Sequence, residues 1–465
     1  MTGHIERGLT LLVAGTFFME MLDGTILSTA APTIARSFGV SSDAVGVAIT
    51  AYLLTVAVLI PLTGWLTDRF GVRRIFLSAI VIFTVASALC ALSVSLPELT
   101  VMRVLQGIGG AMMVPVGRLT VLRVTDKSQL VRAVGWLTWP ALAAPVIAPF
   151  IAGLLTTYAT WQWIFVINLP LGVVAFVVAL RVVPRARATG AAPLDSAGFA
   201  LSFVGIASLV ILGAVLSTPS SGVVAIVVSA VLGVGATGLA VARMLRTRHP
   251  LLDLTAFRIE SFRVAHAGGG VFRLTISAVP FVVPLFFQDA LGWSPLEAGS
   301  VLLVLFVGNL AIKPFTTSML RNWGFRTVVV LATAGAVTSL VLTALVGRAT
   351  PVPLIALLML FSGVTRSIGF TAYNTLAFAD VPGDRMTQAN TLSSTVQQLA
   401  AGLGVAVGAI ALRVGLSIAG AQGQVAAYRI AFAILAALTV IALVEAVVLS
   451  RDAGERIRPV RLSPR

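Results

Sequence analysis

Gly64-Trp-Leu-Thr-Asp68-Arg69-Phe-Gly71-Val-Arg73-Arg74 is a charged turn set between two apolar runs, residues 44–66 and 75–94. Gly71 permits the tight turn, and an acid such as Asp68 at the end of a helix can pair with arginines or a neighbouring helix terminus. Each flanking run is about 20 residues long, enough to cross a hydrocarbon layer of about 30 Å as an α-helix. The unit therefore reads as two membrane-spanning helices joined by a short basic hairpin.

Outward from this hairpin the same pattern repeats. Fourteen apolar runs follow one another, from Leu9 to Ala30 at one end to Ala427 to Leu449 at the other, the tenth running from Ala298 to Leu320. Composition agrees: 58% of residues are hydrophobic and 11% charged, with a mean hydropathy of +1.01, whereas about a quarter of residues are charged in a soluble domain. The chain is expected to be one all-α integral membrane unit. The amino terminus carries one arginine before the first run, but Glu20 and Asp23 interrupt what would be a signal core, so this run is expected to be retained as a span.

The hairpin also has an echo. Ser-Met-Leu-Arg321-Asn-Trp-Gly324-Phe-Arg326-Thr lies 253 positions further on, aligning Gly71 with Gly324 and Arg73 with Arg326. Both copies fall between the second and third spans of a half, which predicts two six-helix bundles, residues 1–185 and 251–465, with two inserted helices in 186–250. Arg321 stands where the first copy has Asp68, so the second copy is degenerate.

The net charge of +15 is nearly all arginine, Lys127 and Lys313 being the two lysines. About 23 of these cations fall in the terminal segments and even-numbered loops against about 4 in the odd-numbered loops, which places both termini in the cytoplasm. That distribution suits a membrane protein better than a nucleic-acid binder, and no nucleic-acid partner is expected. Cys90 is the single cysteine and His4, His249 and His266 are scattered, so neither a disulfide framework nor a metal site is expected. No GxxxxGK[ST] phosphate loop and no Ser/His/Asp cluster occurs, so neither enzymatic activity nor ATP-driven transport is expected.

Charges inside the spans are the informative exceptions, because each is costly in lipid unless paired or wet. Asp23 lies about fourteen residues into its helix, or about 21 Å at 1.5 Å per residue. Arg103 enters from the opposite face about five residues deep, so in a core of about 30 Å the two reach one level and can pair. Glu20 is one turn away on the same face as Asp23. A carboxyl group in such a place is disfavoured as an anion by desolvation and favoured by a nearby guanidinium, which suits a proton site; a fixed ion pair is the structural alternative. The deeper charges of the second half are Arg273, Lys313 and Arg366. They can line a cavity for anionic or zwitterionic substrates or serve as partners of Glu20 and Asp23, and Lys313 can also snorkel to the interface.

Several stretches carry a resemblance. Gly64 to Arg74 is similar to the signature loop of the major facilitator superfamily. Arg103-Val-Leu-Gln106-Gly107-Ile-Gly109-Gly110 and Glu20-Met-Leu-Asp23-Gly-Thr25 resemble the fourth-helix and first-helix motifs of its drug:proton antiporters, the latter those with fourteen helices; Trp161 to Gly172 and Asn390 to Gly404 are similar to stretches of that fourteen-helix family, and the last together with Met112 to Thr120 resembles its MdtD-like branch of multidrug exporters. The fifth span, Ala144-Pro145 to Ala148-Pro149 to Ala152-Gly153, resembles the antiporter motif but puts alanine at three positions where the pattern prefers glycine.

The resemblance implies a proton-coupled antiporter of the bacterial inner membrane, working as a monomer without a cofactor, with a proton gradient as energy source and a small molecule, protons and membrane lipid as partners. It implies proton coupling by Asp23, Glu20 and Arg103. Gly64, Asp68, Arg69, Gly71, Arg73 and Arg74 form a conformational latch in this reading, and Pro145, Pro149 and Gly153 belong to the antiporter helix. The substrate cavity is expected to include Phe18, Gln106, Trp136, Arg273, Phe281, Lys313 and Arg366. A facilitator or lipid and metabolite translocase without proton coupling is the alternative, and the alanines of the fifth span are its support.

Overall fold

The computed structural model describes residues 2–126, 129–185, 190, 193–217, 222–420, 423–450 and 453. Among them there is no strand; thirteen helices are long and apolar enough to cross a membrane, and a bent pair makes a fourteenth. They are α1 (Arg7–Phe38), α2 (Ala44–Phe70), α3 (Val72–Leu92), α4 (Leu96–Val124), α5 (Leu130–Tyr158), α6 (Trp163–Val182) and α7 (Ser196–Leu216). The chain continues through α8 (Val223–Arg246), α9 (Glu260–Ala290), α10 (Glu297–Ala311 with Lys313–Trp323), α11 (Phe325–Leu345), α12 (Val352–Ala379), α13 (Gly383–Ala419) and α14 (Gln424–Val448).

The tenth span is present but not straight: α10 bends by 49° at Ile312. Pro314 explains it, since proline has no N–H to donate and its ring crowds the carbonyl one turn back. The same break occurs 253 residues earlier, where Ile60–Leu62 tightens into a 3-10 turn around Pro61 in α2. After each break a short amphipathic stretch leads to a glycine with positive φ, +86° at Gly71 and +80° at Gly324, a conformation that side chains with a Cβ rarely adopt. The helices that follow are also in register, Val72–Leu92 and Phe325–Leu345.

What the repeated arginine does is the same in both copies. Arg73 donates to the carbonyls of Leu180 and Val183 at 2.6 and 2.8 Å, and Arg326 donates to Val447 at 2.7 Å. Each thus caps the C-terminal end of the last helix of its group, α6 or α14, satisfying carbonyls that a helix leaves without partners. Arg69 and Arg74 are exposed, and neither makes such a cap.

Packing falls into two groups. In the first, α1 lies along α5, α4 lies against α2 and α3, and α6 closes on α3; in the second, α9 lies against α13, α10 against α12, and α14 against α11 and α13. The inserted α7 and α8 form a hairpin, in which α7 also touches α2 and α13. Asp195, just before α7, holds that hairpin through Arg243 at 2.8 Å.

Close approach of α4 to its neighbours depends on glycine. A Cβ on Gly109 would lie 2.6 Å from the backbone nitrogen of Phe83, and one on Gly107 would lie 2.8 Å from Cβ of Thr55. Gly109→Ala is therefore expected to push α3 from α4 and cost about 1–3 kcal/mol, read as a lower melting temperature of the detergent-solubilised protein. An unchanged melting temperature would argue against this contact.

Candidate functional site

The polar residues of the first group converge on Asp23. Its Oδ2 receives Nη1 of Arg103 at 2.5 Å, with both side chains fully buried. Its Oδ1 receives the amides of Gln106 at 2.9 Å and Asn168 at 2.8 Å. Arg103 Nη1 also reaches Gln106 Oε1 at 2.6 Å, and Gln106 donates to Ser87 Oγ at 2.8 Å. The guanidinium lies over the Tyr52 ring, 4.1 Å from its centroid. Five helices, α1, α2, α3, α4 and α6, thus supply the groups around a single carboxylate, with Nε and Nη2 of Arg103 and Oδ1 of Asn168 buried without a hydrogen-bond partner.

Burying charge in this way is tolerable because every oxygen of Asp23 has a donor and the one cation is in contact with it. Glu20, one turn earlier, is different. It is 6% exposed, and its Oε2 has no hydrogen-bond partner. Tyr52 Oη is also buried without a partner. The first group therefore holds one saturated acid and one with an oxygen free for a proton.

The structure brings Asp23, Glu20 and Arg103 together and adds Gln106 to them. Gln106 was placed in the substrate cavity by the sequence reading; its complete burial and its bonds to Asp23, Arg103 and Ser87 put it in the acid network instead. Ser87, Tyr52 and Asn168 belong there too. Their sequence signal is faint: a lone serine, tyrosine and asparagine in otherwise apolar helices.

In the second group, Arg273 donates to Asn374 Oδ1 at 3.2 Å and lies 4.4 Å from the centroid of Phe370. Arg366 donates to the carbonyl of Ile276 at 2.7 Å. Lys313 sits at the bend of α10, is 6% exposed, and donates to Thr371 at 2.6 Å and Thr138 at 3.2 Å. It is buried and bridges α5 to α12, which corrects the snorkelling alternative. The alternative that these cations pair with Glu20 or Asp23 is corrected as well, since Asp23 is taken by Arg103 and no described carboxylate forms a salt bridge with the three.

The expected aromatic residues do not gather. Phe18 packs on the first-group core near Leu22 and Ile26, Phe281 packs on the second-group core against Gly408 of α13, and Trp136 is 50% exposed. On α5, Ala144, Ala148 and Ala152 form a fully buried stripe in the cluster that includes Leu22, Ile26 and Ala30 of α1. The positions where the pattern prefers glycine are thus the ones that pack on the Asp23 helix, and alanine is small enough to keep the helices close. Pro145 and Gly153 are partly exposed, and the side chain of Pro149 lies outside the described residues.

At the arginine-rich end the two groups are clamped. Arg118 of α4 donates to α13 at Asn390 Oδ1 (2.8 Å), Ser394 (2.7 Å) and Gln397 (3.2 Å), and Asn390 returns a bond to the Pro115 carbonyl at 2.9 Å. Arg123 lies 3.6 Å from Asp68 and also donates to Thr387. Gly64 faces Thr391 so closely that a Cβ would come within 2.7 Å of its hydroxyl. The clamp therefore meets the signature hairpin at Gly64, whereas Asp68 joins it only through Arg123 of its own group, and its main hydrogen bonds come from Arg118.

A bundle of fourteen membrane-spanning segments, counting the bent pair as one, with the ion pair of Asp23 and Arg103 buried inside, defines a multi-pass membrane protein. The chain belongs to the major facilitator superfamily: the family model described as "Major Facilitator Superfamily" matches residues 13–241 and 266–463. It is 37% identical over 407 residues to the protein named "Putative multidrug resistance protein MdtD" of Escherichia coli O7:K1 strain IAI39, covering 86% of this chain and 85% of that one. The protein of the same name from Shigella flexneri matches to the same extent, 37% over 407 residues. Two solved structures share the fold: the human organic anion transporter MFSD10, with a TM-score of 0.68 at 16% identity over 95% of this chain and 99% of that one, and the proton:xylose symporter XylE, with 0.64 at 14% over 98% of each.

Proposed function

We propose that this chain is a proton-coupled antiporter that exports amphipathic small molecules across a bacterial inner membrane by rocking its two six-helix bundles, residues 1–185 and 251–465, around a central cavity. The arginine-rich end faces the cytoplasm, with both termini on that side, and the clamp of Arg118 with Asn390, Ser394 and Gln397 holds that side shut. The name of the MdtD relatives supports drug-like cargo. The observation that carries proton coupling is the pair of acids on α1: Asp23 saturated by Arg103, Gln106 and Asn168, and Glu20 one turn away with an oxygen unoccupied.

Asp23 and Arg103 set the polarity of the pocket, and Glu20 takes the proton on one side and yields it on the other as the cavity alternates. The test is export of a fluorescent drug from proteoliposomes under an imposed pH gradient. Loss of gradient-driven export in Asp23→Asn with Glu20→Gln is the expected result. If that variant still concentrates substrate, the acids are structural and transport is facilitated or driven otherwise.

The clamp gives a second expectation. Arg118→Ala removes the bonds to Asn390, Ser394 and Gln397, each worth about 0.5–1.5 kcal/mol or more when charged, and should favour opening at the arginine-rich end. Faster labelling of a cysteine placed at the partly buried Gln398, one turn beyond Ser394 on the same face of α13, would show it, and unchanged labelling would argue that the clamp is not limiting.

A further inference from the structure

Resting on the transporter reading, we propose that Arg273, Arg366 and Lys313 form an anion site, and that the exported molecules are amphipathic anions whose headgroup this site holds. The three cations come from three helices and meet on two short stretches. Arg273 and Lys313 both hydrogen-bond one turn of α12, at Asn374 and Thr371, positions three apart and hence on one face. Arg366 reaches back to the carbonyl of Ile276, one turn from Arg273 on α9.

None of the three makes an ion pair among the described residues, and the second group's Glu445 lies against Gly268 instead. Among the described residues the ion pairs are Asp23 with Arg103, Asp68 with Arg123 and Asp195 with Arg243. The bonds that Arg273, Arg366 and Lys313 do make go to neutral oxygens: an amide, a backbone carbonyl and two hydroxyls. A guanidinium keeps its charge in any protein setting, so Arg273 and Arg366 at least are fixed positive groups. Uncompensated cations in a membrane core are retained where they serve a ligand.

A second observation points to a ligand. Asn309, one turn before Lys313 on α10, is 1% exposed, and neither its amide nitrogen nor its oxygen has a partner. A buried amide left idle four residues before a buried lysine, just ahead of the bend in α10, is a group that an anionic headgroup would satisfy. Phe370, beneath Arg273, supplies an apolar surface for the body of the molecule. In the first group, by contrast, Asp23 is already paired with Arg103, and the free oxygen of Glu20 bonds none of the three cations.

A matched pair of probes with one aromatic body and opposite charge tests this: 1-naphthalenesulfonate and 1-naphthylmethylammonium. Equilibrium binding to the purified full chain in detergent, with no gradient, is expected for the sulfonate and not for the ammonium. Arg273→Gln with Lys313→Gln should weaken the sulfonate by about tenfold or more, as loss of charge-assisted bonds requires, while Arg273→Lys with Lys313→Arg, which keep the charge, should retain most of it and show that the site still folds. Preferential binding of the ammonium, or sulfonate binding unchanged in the double glutamine variant, would overturn the proposal. Because no gradient enters the measurement, sulfonate binding without proton-driven export would count against the antiporter reading and leave the anion site standing.

Discussion

Arg103→Ala is expected to be the most damaging single substitution in the chain. It would leave Asp23, fully buried, with two amide donors and no cation, and breaking a buried pair from one side typically costs about 3–5 kcal/mol because the surviving charge is uncompensated. The guanidinium also fills the space over the Tyr52 ring, so a cavity adds to the loss. A large drop in melting temperature and no export are the expected readings. Asp23→Asn with Arg103→Gln removes both charges and keeps polar groups able to bond Gln106 and Asn168, so it should recover most of the stability while transport stays lost. Equal destabilisation by the double and the single variant would mean that packing, not charge, is what Arg103 provides.

The hydropathy pattern reveals the fourteen spans because lipid demands long apolar helices and leaves little else to read. The hairpin at Gly71 and its echo at Gly324 reveal the repeat, and the structure extends it to the breaks at Pro61 and at Ile312–Pro314. Those breaks were missed because a proline inside an apolar run does not lower hydropathy enough to interrupt a span. The pairing of Asp23 with Arg103 was legible because two opposite charges at one depth have few alternatives. Gln106, Asn168 and Ser87 were not, since a neutral polar residue in a membrane helix is tolerated in many places, and only the packing of five helices shows that Gln106 and Asn168 share the Asp23 carboxylate and that Ser87 accepts from both. Lys313 failed for a related reason: depth along a helix does not tell whether a long side chain turns outward to the interface or, as here, inward between Thr138 and Thr371.

Glu20→Gln separates stability from coupling, which Arg103→Ala cannot. The side chain is buried, and Oε2 has no donor to lose, so an amide of nearly the same shape should leave the melting temperature close to that of the unaltered chain. Glutamine cannot exchange a proton, however, and the linkage between proton and substrate movement is a coupling free energy, commonly about 1–3 kcal/mol or roughly 5–150-fold in affinity. Substrate accumulation driven by an imposed pH gradient should therefore fall by about tenfold or more, while exchange of labelled for unlabelled substrate at equal pH continues. That combination would place proton exchange at Glu20 and leave Asp23 as its fixed neighbour. A variant that melts normally and still concentrates substrate would remove Glu20 from the mechanism; if Asp23→Asn alone then abolished the gradient response, the proton would have to travel through the ion pair itself, with Arg103 released from Asp23 in each cycle.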